Sequence, residues 1–216
     1  MFKLDYQFQQ DATNTMHAAN LGQIILPTGT GKSKIQARYL NEVIEVNSGF
    51  AIYVILTPRI LLTNQLMKDV ATDLISAKTE FSELGIEERK LLKYTDSAIT
   101  TSSKELLDEV QKAKVKDCPV LICSTYHSVD RVSKALKGVF AIDALLCDES
   151  QYVVSEDFNS SVAKVKDISK NTFFFTATQK TTSASTGNAL GHNNEAFYGP
   201  VLFTKSPREM IEAGYI

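Results

Sequence analysis

The most informative segment of this chain is Leu26-Pro27-Thr28-Gly29-Thr30-Gly31-Lys32-Ser33. It follows the apolar run 24–26, which is typical of a short buried strand, and it precedes residues 34–40, which favour a helix and include no breaker. A strand, a glycine-containing loop and a helix in this order predict a phosphate-binding loop. An ordinary glycine turn before a helix is the alternative interpretation.

The residue types in this loop suit a polyphosphate. Gly29 and Gly31 can adopt backbone angles that other residues avoid, which lets consecutive N–H groups surround phosphate oxygens. Lys32 can reach the β- and γ-phosphates, and the Ser33 hydroxyl can bind Mg2+. The general pattern G-x-x-x-x-G-K-[ST] has glycine where this chain has Leu26, so the match rests on Gly29 to Ser33.

The composition is that of a globular protein without an overall basic charge. The chain has 216 residues, 44% of them hydrophobic, which is enough for one sizeable core, and we expect a single domain. Its formal charge is −2 and its pI is near 6.0, so binding to a nucleic-acid backbone must come from a local face. The N-terminus does not look like a signal peptide, and no apolar run approaches the ~20 residues of a membrane span. We therefore expect a cytoplasmic protein that has no membrane partner.

The cysteines and histidines do not indicate a metal site. Cys118, Cys123 and Cys147 lie in or beside apolar runs, without the spacing of a disulfide framework or a zinc site. Buried thiols in a reducing compartment are therefore favoured over metal ligands. The histidines also lack metal-ligand spacing, and we assign no role to His17, His127 or His192.

Strand-like apolar runs alternate with helix-like segments, which predicts an α/β fold with a mostly parallel sheet and helices on both faces. The predicted strands after the loop are residues 51–56, 119–123, 144–147 and 172–175, and residues 90–94 are a further strand or a helix end. The predicted helices are residues 60–76, 103–115 and about 127–137, and a last one after the capping box Ser206-Pro207-Arg208-Glu209. Residues 179–194 are expected to form a mobile loop, and residues 197–203 one more strand.

Asp148 and Glu149 follow directly after one of these strands. Ligands of open parallel sheets bind beyond the carboxyl ends of the strands, so this pair is expected on the same edge as the glycine loop. One carboxylate can hold Mg2+, and the other can position and deprotonate an attacking water. A solvated acidic strand end is the alternative for the pair taken alone, but the loop upstream favours the functional interpretation.

Together these motifs resemble the first RecA-like domain of superfamily 2 helicases and translocases. Gly29-Thr30-Gly31-Lys32-Ser33, Asp148-Glu149-Ser150-Gln151 and Thr176-Ala177-Thr178 have the order and spacing of motifs I, II and III. Further similarity is found at Phe8-Gln9-Gln10-Asp11-Ala12 (glutamine motif), Thr57-Pro58-Arg59 (motif Ia) and Ser124-Thr125-Tyr126 (motif Ic). The resemblance covers nearly the whole chain, and it is best to the motor subunits of restriction enzymes and to phage and plasmid helicases.

This resemblance implies a P-loop NTPase domain of RecA-like fold that hydrolyses ATP with Mg2+ by an in-line water. The implied ATP-binding residues are Gln9, which would read adenine, and Pro27, Thr28, Gly29, Thr30, Gly31, Lys32 and Ser33. Catalysis would use Lys32, Asp148, Glu149 and Gln151, and Mg2+ would be held by Ser33 and Asp148. The implied nucleic-acid contacts, with DNA favoured over RNA, are Thr57, Pro58, Arg59, Thr125 and Tyr126. Thr176, Ala177 and Thr178 would couple nucleotide state to these contacts.

The chain departs from the family pattern at two points. Its motif II is Asp-Glu-Ser-Gln, where the family more often has Asp-Glu-Ala-His or Asp-Glu-Ala-Asp, which affects the γ-phosphate contact implied for Gln151. Gln179 stands where motif III is often followed by proline.

The family places an arginine finger and a second strand-binding surface on another RecA-like domain, for which 216 residues leave no room. We therefore expect residues 1–216 to be one RecA-like domain that works with a second one in cis or trans and hydrolyses ATP slowly alone. A phosphate-loop switch that acts on a protein partner is the alternative, and it would not need the motifs at 57–59 and 124–126. An inactive structural copy is a third interpretation, against which Lys32 and Glu149 argue. Nothing in the sequence indicates a nuclease.

Overall fold

Helices and strands alternate along residues 6–47, 49–58, 102–182 and 190–216, the parts of the chain that this computed structural model describes. The strands are β1 (Leu21–Ile25), β2 (Ile52–Thr57), β3 (Val120–Thr125), β4 (Ile142–Cys147), β5 (Ser169–Thr176) and β6 (Val201–Thr204). The helices are α1 (Gln7–His17), α2 (Lys32–Asn47), α3 (Ser103–Val115), α4 (Val129–Leu136), α5 (Glu156–Lys166), α6 (Glu195–Tyr198) and α7 (Pro207–Glu212). A 3-10 turn covers Ser150–Tyr152.

The six strands form one sheet in the order β3-β2-β4-β5-β1-β6, and all of their pairings are parallel. Strand β5 lies between β1, which leads into the glycine loop, and β4, which leads into Asp148. The three strands that carry the main motifs are therefore neighbours, and their carboxyl ends meet at one edge of the sheet. The predicted α/β class with a parallel sheet is confirmed.

Alternate residues of the central strands supply the two halves of the core, because successive side chains of a strand point to opposite faces. Phe173 and Phe175 pack with α1 and α2 on one face, whereas Phe174 packs with α4 and α5 on the other. Helices thus cover both faces of the sheet, which buries long apolar runs such as β2 and β3 completely. All three cysteines are free and buried, as predicted.

Several predicted elements differ from the structure. Residues 197–200 are not a strand: the Asn194 side chain accepts a hydrogen bond from the Phe197 N–H and begins the short α6, and Gly199, with φ of 74°, ends it before β6. Helices α1 and α5 were not predicted. The expected helix at 60–76 and the segment 90–94 lie outside the described residues.

The described ends of the expected mobile loop at 179–194 are hydrogen-bonded to each other, and residues 183–189 lie outside the described residues. Thr182 N–H donates to Asn193 Oδ1 (3.1 Å), and Asn193 Nδ2 donates back to the Thr182 carbonyl (3.2 Å). Gly191 N–H donates to Thr182 Oγ1 (2.9 Å), so residues on the two sides of the segment 183–189 are paired.

The predicted last helix is confirmed. Ser206 Oγ accepts from the Glu209 N–H (3.2 Å), and Glu209 Oε2 accepts from the Ser206 N–H (2.7 Å), which is the capping box expected from the sequence. In the part of the chain that is described, no helix is both long and apolar enough to cross a bilayer.

Candidate nucleotide-binding and catalytic site

The glycine loop has the backbone that a phosphate site requires. Gly29 and Gly31 have φ of 84° and 80°, which glycine adopts without steric cost. Helix α2 begins at Lys32, and the N–H groups of residues 28–33 have no hydrogen-bond partner among the described residues. A side chain added at Gly29 would meet no heavy atom within 4 Å, so the space beside the loop is open. Free N–H groups, an open space and a helix N-terminus together fit an anion.

Lys32 lies across this loop rather than in solvent. Its Nζ donates to the carbonyl oxygens of Leu26 (3.2 Å) and Pro27 (3.4 Å), and only 8% of the residue is exposed. Thr30 Oγ1 also donates to the Pro27 carbonyl (2.8 Å), which closes the loop on itself. The ammonium group is thus held at the loop by backbone carbonyls, which carry no net charge, and it can exchange them for charged phosphate oxygens.

Gln9 contacts the loop from helix α1. Its Nε2 donates to the Thr30 carbonyl (3.1 Å), and its Oε1 accepts from the Tyr6 N–H (3.4 Å). The residue is buried, and a side chain at Gly31 would come within 2.6 Å of Gln9 Nε2. In this arrangement Gln9 ties α1 to the loop, and adenine recognition by its amide stays a prediction.

Asp148 is fixed at both its backbone and its side chain. Its N–H donates to the Leu56 carbonyl (2.8 Å), its carbonyl accepts from the Tyr126 hydroxyl (2.6 Å), and its Oδ1 accepts from Gln36 Nε2 (3.0 Å). Burial raises the pKa of Asp148 to about 6, with a further increase from the charge of Glu149, whereas Lys32 and the Gln36 hydrogen bond oppose this shift. The hydrogen bond from Gln36, on the helix that follows the loop, and the parallel order β4-β5-β1 show that the loop and the acidic pair share one edge of the sheet, as the sequence indicated.

Glu149 has a left-handed backbone conformation, and its carboxylate accepts a hydrogen bond from Gln151. Its φ and ψ are both 49°, in the left-handed region that a non-glycine residue seldom adopts. Gln151 Nε2 donates to Glu149 Oε2 (2.8 Å), and the Thr176 hydroxyl lies 2.8 Å from Gln151 Oε1. Thr176 Oγ1 also lies 2.8 Å from the Thr178 carbonyl and accepts from the Thr178 N–H (3.1 Å). A chain of hydrogen bonds therefore connects the predicted general base to residues 176–178, and Ala177 lies between the two threonines.

The residues predicted to contact nucleic acid are arranged differently. Thr57 and Thr125 are paired residues of β2 and β3, and both are buried, as are Pro58 and Tyr126. The Tyr126 hydroxyl is bound to Asp148 and its N–H to the Thr57 carbonyl (3.0 Å). Arg59 lies outside the described residues. The four described side chains, Thr57, Pro58, Thr125 and Tyr126, are buried away from a phosphate backbone, and the contact stays a prediction.

The donor set at the loop and at Asp148 fits a magnesium-bound nucleotide. The Ser33 hydroxyl has no hydrogen-bond partner in the described ranges, and hydroxyl, carboxylate and phosphate oxygens are the ligands that Mg2+ prefers. Across the same ranges, no group of three or more His, Cys, Asp and Glu residues could hold a metal by itself. A site with two protein ligands is what Mg2+ commonly uses when phosphates complete its shell.

Two residues near the site were not found from the sequence. Gln36, which holds Asp148, is fully buried, and its Oε1 has no hydrogen-bond partner among the residues that the structure describes. Its position four residues after Lys32 places it on the same helix face, which is a signal that could have indicated it. His192, with 1% of its surface exposed, lies 3.0 Å from Ser150 Oγ through its Nε2. No sequence signal connects His192 with Ser150, because 42 positions separate them.

The family comparison agrees with this site. The family described as DEAD/DEAH box helicase matches residues 6–186, which include the loop, the acidic pair and residues 176–178. The chain belongs to the DEAD/DEAH box helicase family. A search of curated proteins found no match.

Solved structures show the same fold. The ATP-dependent Type ISP restriction-modification enzyme LlaBIII, bound to DNA, is 21% identical with a TM-score of 0.74, over 99% of this chain and 16% of that one. A nuclease-deletion mutant of the Type ISP enzyme LlaGI, in complex with a DNA substrate mimic, is 22% identical with a TM-score of 0.74, over 99% and 21%. The UvsW helicase of bacteriophage T4 is 19% identical with a TM-score of 0.58, over 92% and 60%. The chain thus spans 16–21% of the two restriction-modification enzymes, and the predicted resemblance to restriction enzymes and phage helicases is confirmed for the fold.

Proposed function

We propose that this DEAD/DEAH box helicase domain is the ATP-hydrolysing part of a nucleic-acid motor. The observation that carries the proposal is the meeting of two motifs at one sheet edge. There, a loop with free N–H groups and Lys32 lies at the same edge as the Asp148-Glu149 pair, and Gln36 of α2, the helix that follows the loop, donates to Asp148. Phosphoryl transfer needs these parts, because catalysis depends chiefly on positioning and on stabilising phosphate charge.

Each residue at this edge has one task in the proposal. The N–H groups of residues 28–33 and Lys32 bind the phosphates, and Glu149 orients and deprotonates the attacking water. Gln151 holds the Glu149 carboxylate through the hydrogen bond of 2.8 Å. Mg2+ supplies charge neutralisation when bound, and Ser33 and Asp148 are the residues that would hold it.

Thr176 and Thr178 are the proposed coupling residues. The Thr176 hydroxyl has one proton and two acceptors at equal distance, Gln151 Oε1 and the Thr178 carbonyl. A change at Glu149 that moves Gln151 can therefore transfer this hydrogen bond to Thr178. This exchange would carry the nucleotide state from the acidic pair to the segment that follows β5.

The proposed substrate track is a nucleic-acid backbone, with DNA favoured over RNA. The strand-end side chains of Thr57, Pro58, Thr125 and Tyr126 are buried, so the contact would use backbone groups together with Arg59. A second RecA-like domain, in cis or in trans, would supply the arginine finger and the rest of the track. We expect slow hydrolysis by this chain alone.

Nucleic-acid-stimulated ATP hydrolysis tests this function. Hydrolysis would be measured with Mg2+ for the wild type, Lys32→Ala and the control Lys104→Ala, an exposed lysine on α3. Each protein would be tested alone and with single-stranded DNA, duplex DNA and single-stranded RNA. The proposal predicts stimulation by DNA in the wild type and in Lys104→Ala, and no hydrolysis by Lys32→Ala.

The burial of the strand-end side chains favours one alternative, a phosphate-loop switch that acts on a protein partner. In that case Lys32→Ala would still abolish hydrolysis, but no nucleic acid would change the wild-type rate. Hydrolysis that is unaffected by Lys32→Ala would contradict both functions.

A further inference from the structure

His192 connects the acidic pair to the segments that follow β5. We define the paired segments as residues 179–182 and 190–194, which the hydrogen bonds between Thr182, Gly191 and Asn193 hold together. The His192 ring lies within this pair, 3.0 Å from Ser150 Oγ, and packs against Tyr198 with ring centroids 4.7 Å apart. Ser150 is itself fully buried and is the residue between Glu149 and Gln151.

The hydrogen bonds determine which ring nitrogen carries the proton. The Lys180 N–H donates to His192 Nδ1 at 3.0 Å, and a backbone N–H can act only as a donor. Nδ1 also lies 3.3 Å from the Lys180 carbonyl, but this contact is longer and that carbonyl already accepts from the His192 N–H at 2.7 Å, so we assign the unprotonated state to Nδ1. Burial lowers the pKa of His192, which keeps the ring neutral near pH 7. The proton of the neutral ring is therefore on Nε2, which donates to Ser150 Oγ.

The backbone of His192 is fixed as firmly as its ring. Its N–H donates to the Lys180 carbonyl (2.7 Å), and its carbonyl accepts from Nε2 of Gln23, a buried residue of β1 (3.0 Å). Gln23 Oε1 in turn accepts from Gln179 Nε2 (3.2 Å). His192 is thus anchored to the strand that leads into the phosphate loop and to the residues that follow motif III.

Glu149 needs support of this kind. A non-glycine residue with φ of 49° is strained, and such a conformation persists only when its surroundings hold it. In the turn that follows Glu149, the Tyr152 N–H donates to the Glu149 carbonyl (3.1 Å), and the Val153 N–H donates to the Ser150 carbonyl (2.9 Å). The bond from His192 is the one side-chain hydrogen bond that the structure shows at Ser150, among the residues it describes.

We propose that His192 is a positioning residue for ATP hydrolysis, which holds the strained Glu149 through Ser150 and links it to the paired segments. This inference rests on the proposed function, because it assigns the general base to Glu149. Loss of the bond to Ser150 lowers the rate of hydrolysis while ATP affinity is retained, since the phosphate loop is untouched.

Two substitutions of His192 distinguish the hydrogen bond at Nδ1 from the one at Nε2. The Asn amide reaches about as far as Nδ1, so His192→Asn keeps an acceptor for Lys180 and loses the bond to Ser150. The longer Gln amide reaches the Nε2 position, so His192→Gln keeps a donor for Ser150 and loses the bond from Lys180. Ser150→Ala removes the same bond as His192→Asn from the opposite partner, and the double variant His192→Asn/Ser150→Ala completes the cycle.

The experiment measures hydrolysis, ATP binding and amide hydrogen exchange for these variants and the wild type. His192→Asn and Ser150→Ala are each expected to lower the turnover rate about tenfold with nearly unchanged ATP affinity, and the double variant should lose no more. His192→Gln should keep the wild-type rate. Exchange at Tyr152 and Val153 should accelerate in His192→Asn and Ser150→Ala, and exchange at Lys180 only in His192→Gln.

Equal rates of hydrolysis in His192→Asn and His192→Gln, or a wild-type rate in Ser150→Ala, would overturn the inference. The exchange pattern decides the hydrogen-bond link even where hydrolysis is absent, so a wild type that hydrolyses no ATP defeats the proposed function alone. If His192→Asn does not fold, Ser150→Ala tests the same bond from the other side, with thermal unfolding as the check on each variant.

Discussion

Two regions at the same edge of the sheet carry motif-like residues in very different states. The nucleotide region, which we define as residues 27–33 and 148–151, has free N–H groups, an open space beside Gly29 and an ammonium group that is bound only to the neutral carbonyls of Leu26 and Pro27 among the described residues. The strand-end region, defined as Thr57, Pro58, Thr125 and Tyr126, is buried. There, Tyr126 uses its hydroxyl to hold Asp148.

A motif-like sequence therefore does not by itself reveal which polar groups are available to a ligand. A polar group that is buried and already bonded stabilises the fold, and using it for a ligand would first break that bond. Substitutions in the nucleotide region should therefore change nucleotide binding and turnover. Substitutions in the strand-end region should chiefly change stability.

The largest effect is expected at Glu149. Glu149→Gln keeps the size of the side chain but removes the base, so phosphate release in a single turnover should slow by about 100-fold or more while ATP still binds. Glu156→Gln, an exposed residue at the start of α5, is the matched control and should behave as the wild type. A normal rate of hydrolysis in Glu149→Gln would show that Glu149 is not the general base.

A substitution of Gln36 tests whether its hydrogen bond orients Asp148 as a metal ligand. Gln36→Met removes the hydrogen bond to Asp148 Oδ1 together with the unpaired Oε1 in the core. The Mg2+ concentration needed for half-maximal nucleotide binding should rise about tenfold, because partners of a metal ligand orient it. Stability should change little, because the gain from removing the buried Gln36 Oε1 is offset by the loss of the donor to the partly buried Asp148 carboxylate, each worth about 1–3 kcal/mol.

A titration of Mg2+ at fixed ATP, together with thermal unfolding, measures both effects. Gln111→Met on α3, where the residue is exposed, is the control for the substitution itself. An unchanged Mg2+ requirement in Gln36→Met would show that Asp148 needs no support from α2.

Tyr126 tests the strand-end region. Tyr126→Phe removes the bond of 2.6 Å to the Asp148 carbonyl and should lower the free energy of unfolding by about 1 kcal/mol. DNA affinity, measured by fluorescence anisotropy, should not change. Tyr152→Phe, the same change at a residue with 40% of its surface exposed, is the control. Weaker DNA binding at unchanged stability would show that Tyr126 contacts DNA, as the sequence implied.

The smallest expected effect is the pH dependence that His192 gives to the free energy of unfolding. Burial holds the pKa of His192 below its ordinary value of 6.5, so below that pH the unfolded chain binds a proton that the folded chain does not. The contribution of His192 to stability should therefore fall as the pH falls below about 6.5, by at most about 1.4 kcal/mol per unit. Asp148, whose pKa is raised to about 6, contributes in the opposite direction in this range, so the effect of His192 is measured as a difference between the wild type and a variant at this position. The pKa of Tyr126 is raised well above its ordinary value by burial, so the strand-end tyrosine adds nothing in this range.

Chemical denaturation between pH 7 and pH 5 measures this dependence for the wild type and for His192→Gln. The variant should show the smaller loss of stability. An equal loss in both would assign the acid sensitivity to other groups.

The sequence predicted most of the fold, because a strand, a glycine loop and an acidic strand end are local patterns. Strand β5 was recognised only from residue 172, since its first residues, Ser169 to Asn171, are polar and partly exposed. Helix α1 was missed because two of the five residues on its buried face, Gln9 and Thr13, are polar and hide the apolar periodicity. In α5 only Val162 and Val165 are buried, which is too little to form a pattern.

The supporting residues of the site depend on contacts between distant parts of the chain. Gln36 meets Asp148 across 112 positions, and Gln23 meets His192 across 169. Nothing in the local sequence distinguishes these residues from ordinary polar positions. The residues expected to act on a ligand could be named from the sequence, whereas those that hold them needed the structure.

Titration of the wild type, Lys32→Ala and Lys104→Ala with ATP in the presence of Mg2+, followed by calorimetry, tests the central claim most directly. The nucleotide region predicts that the wild type and Lys104→Ala bind ATP alike and that Lys32→Ala binds at least about tenfold more weakly, because it loses a charge-assisted contact to phosphate. Equal affinity in all three proteins, or no binding by the wild type, would contradict the assignment of this edge as a nucleotide site.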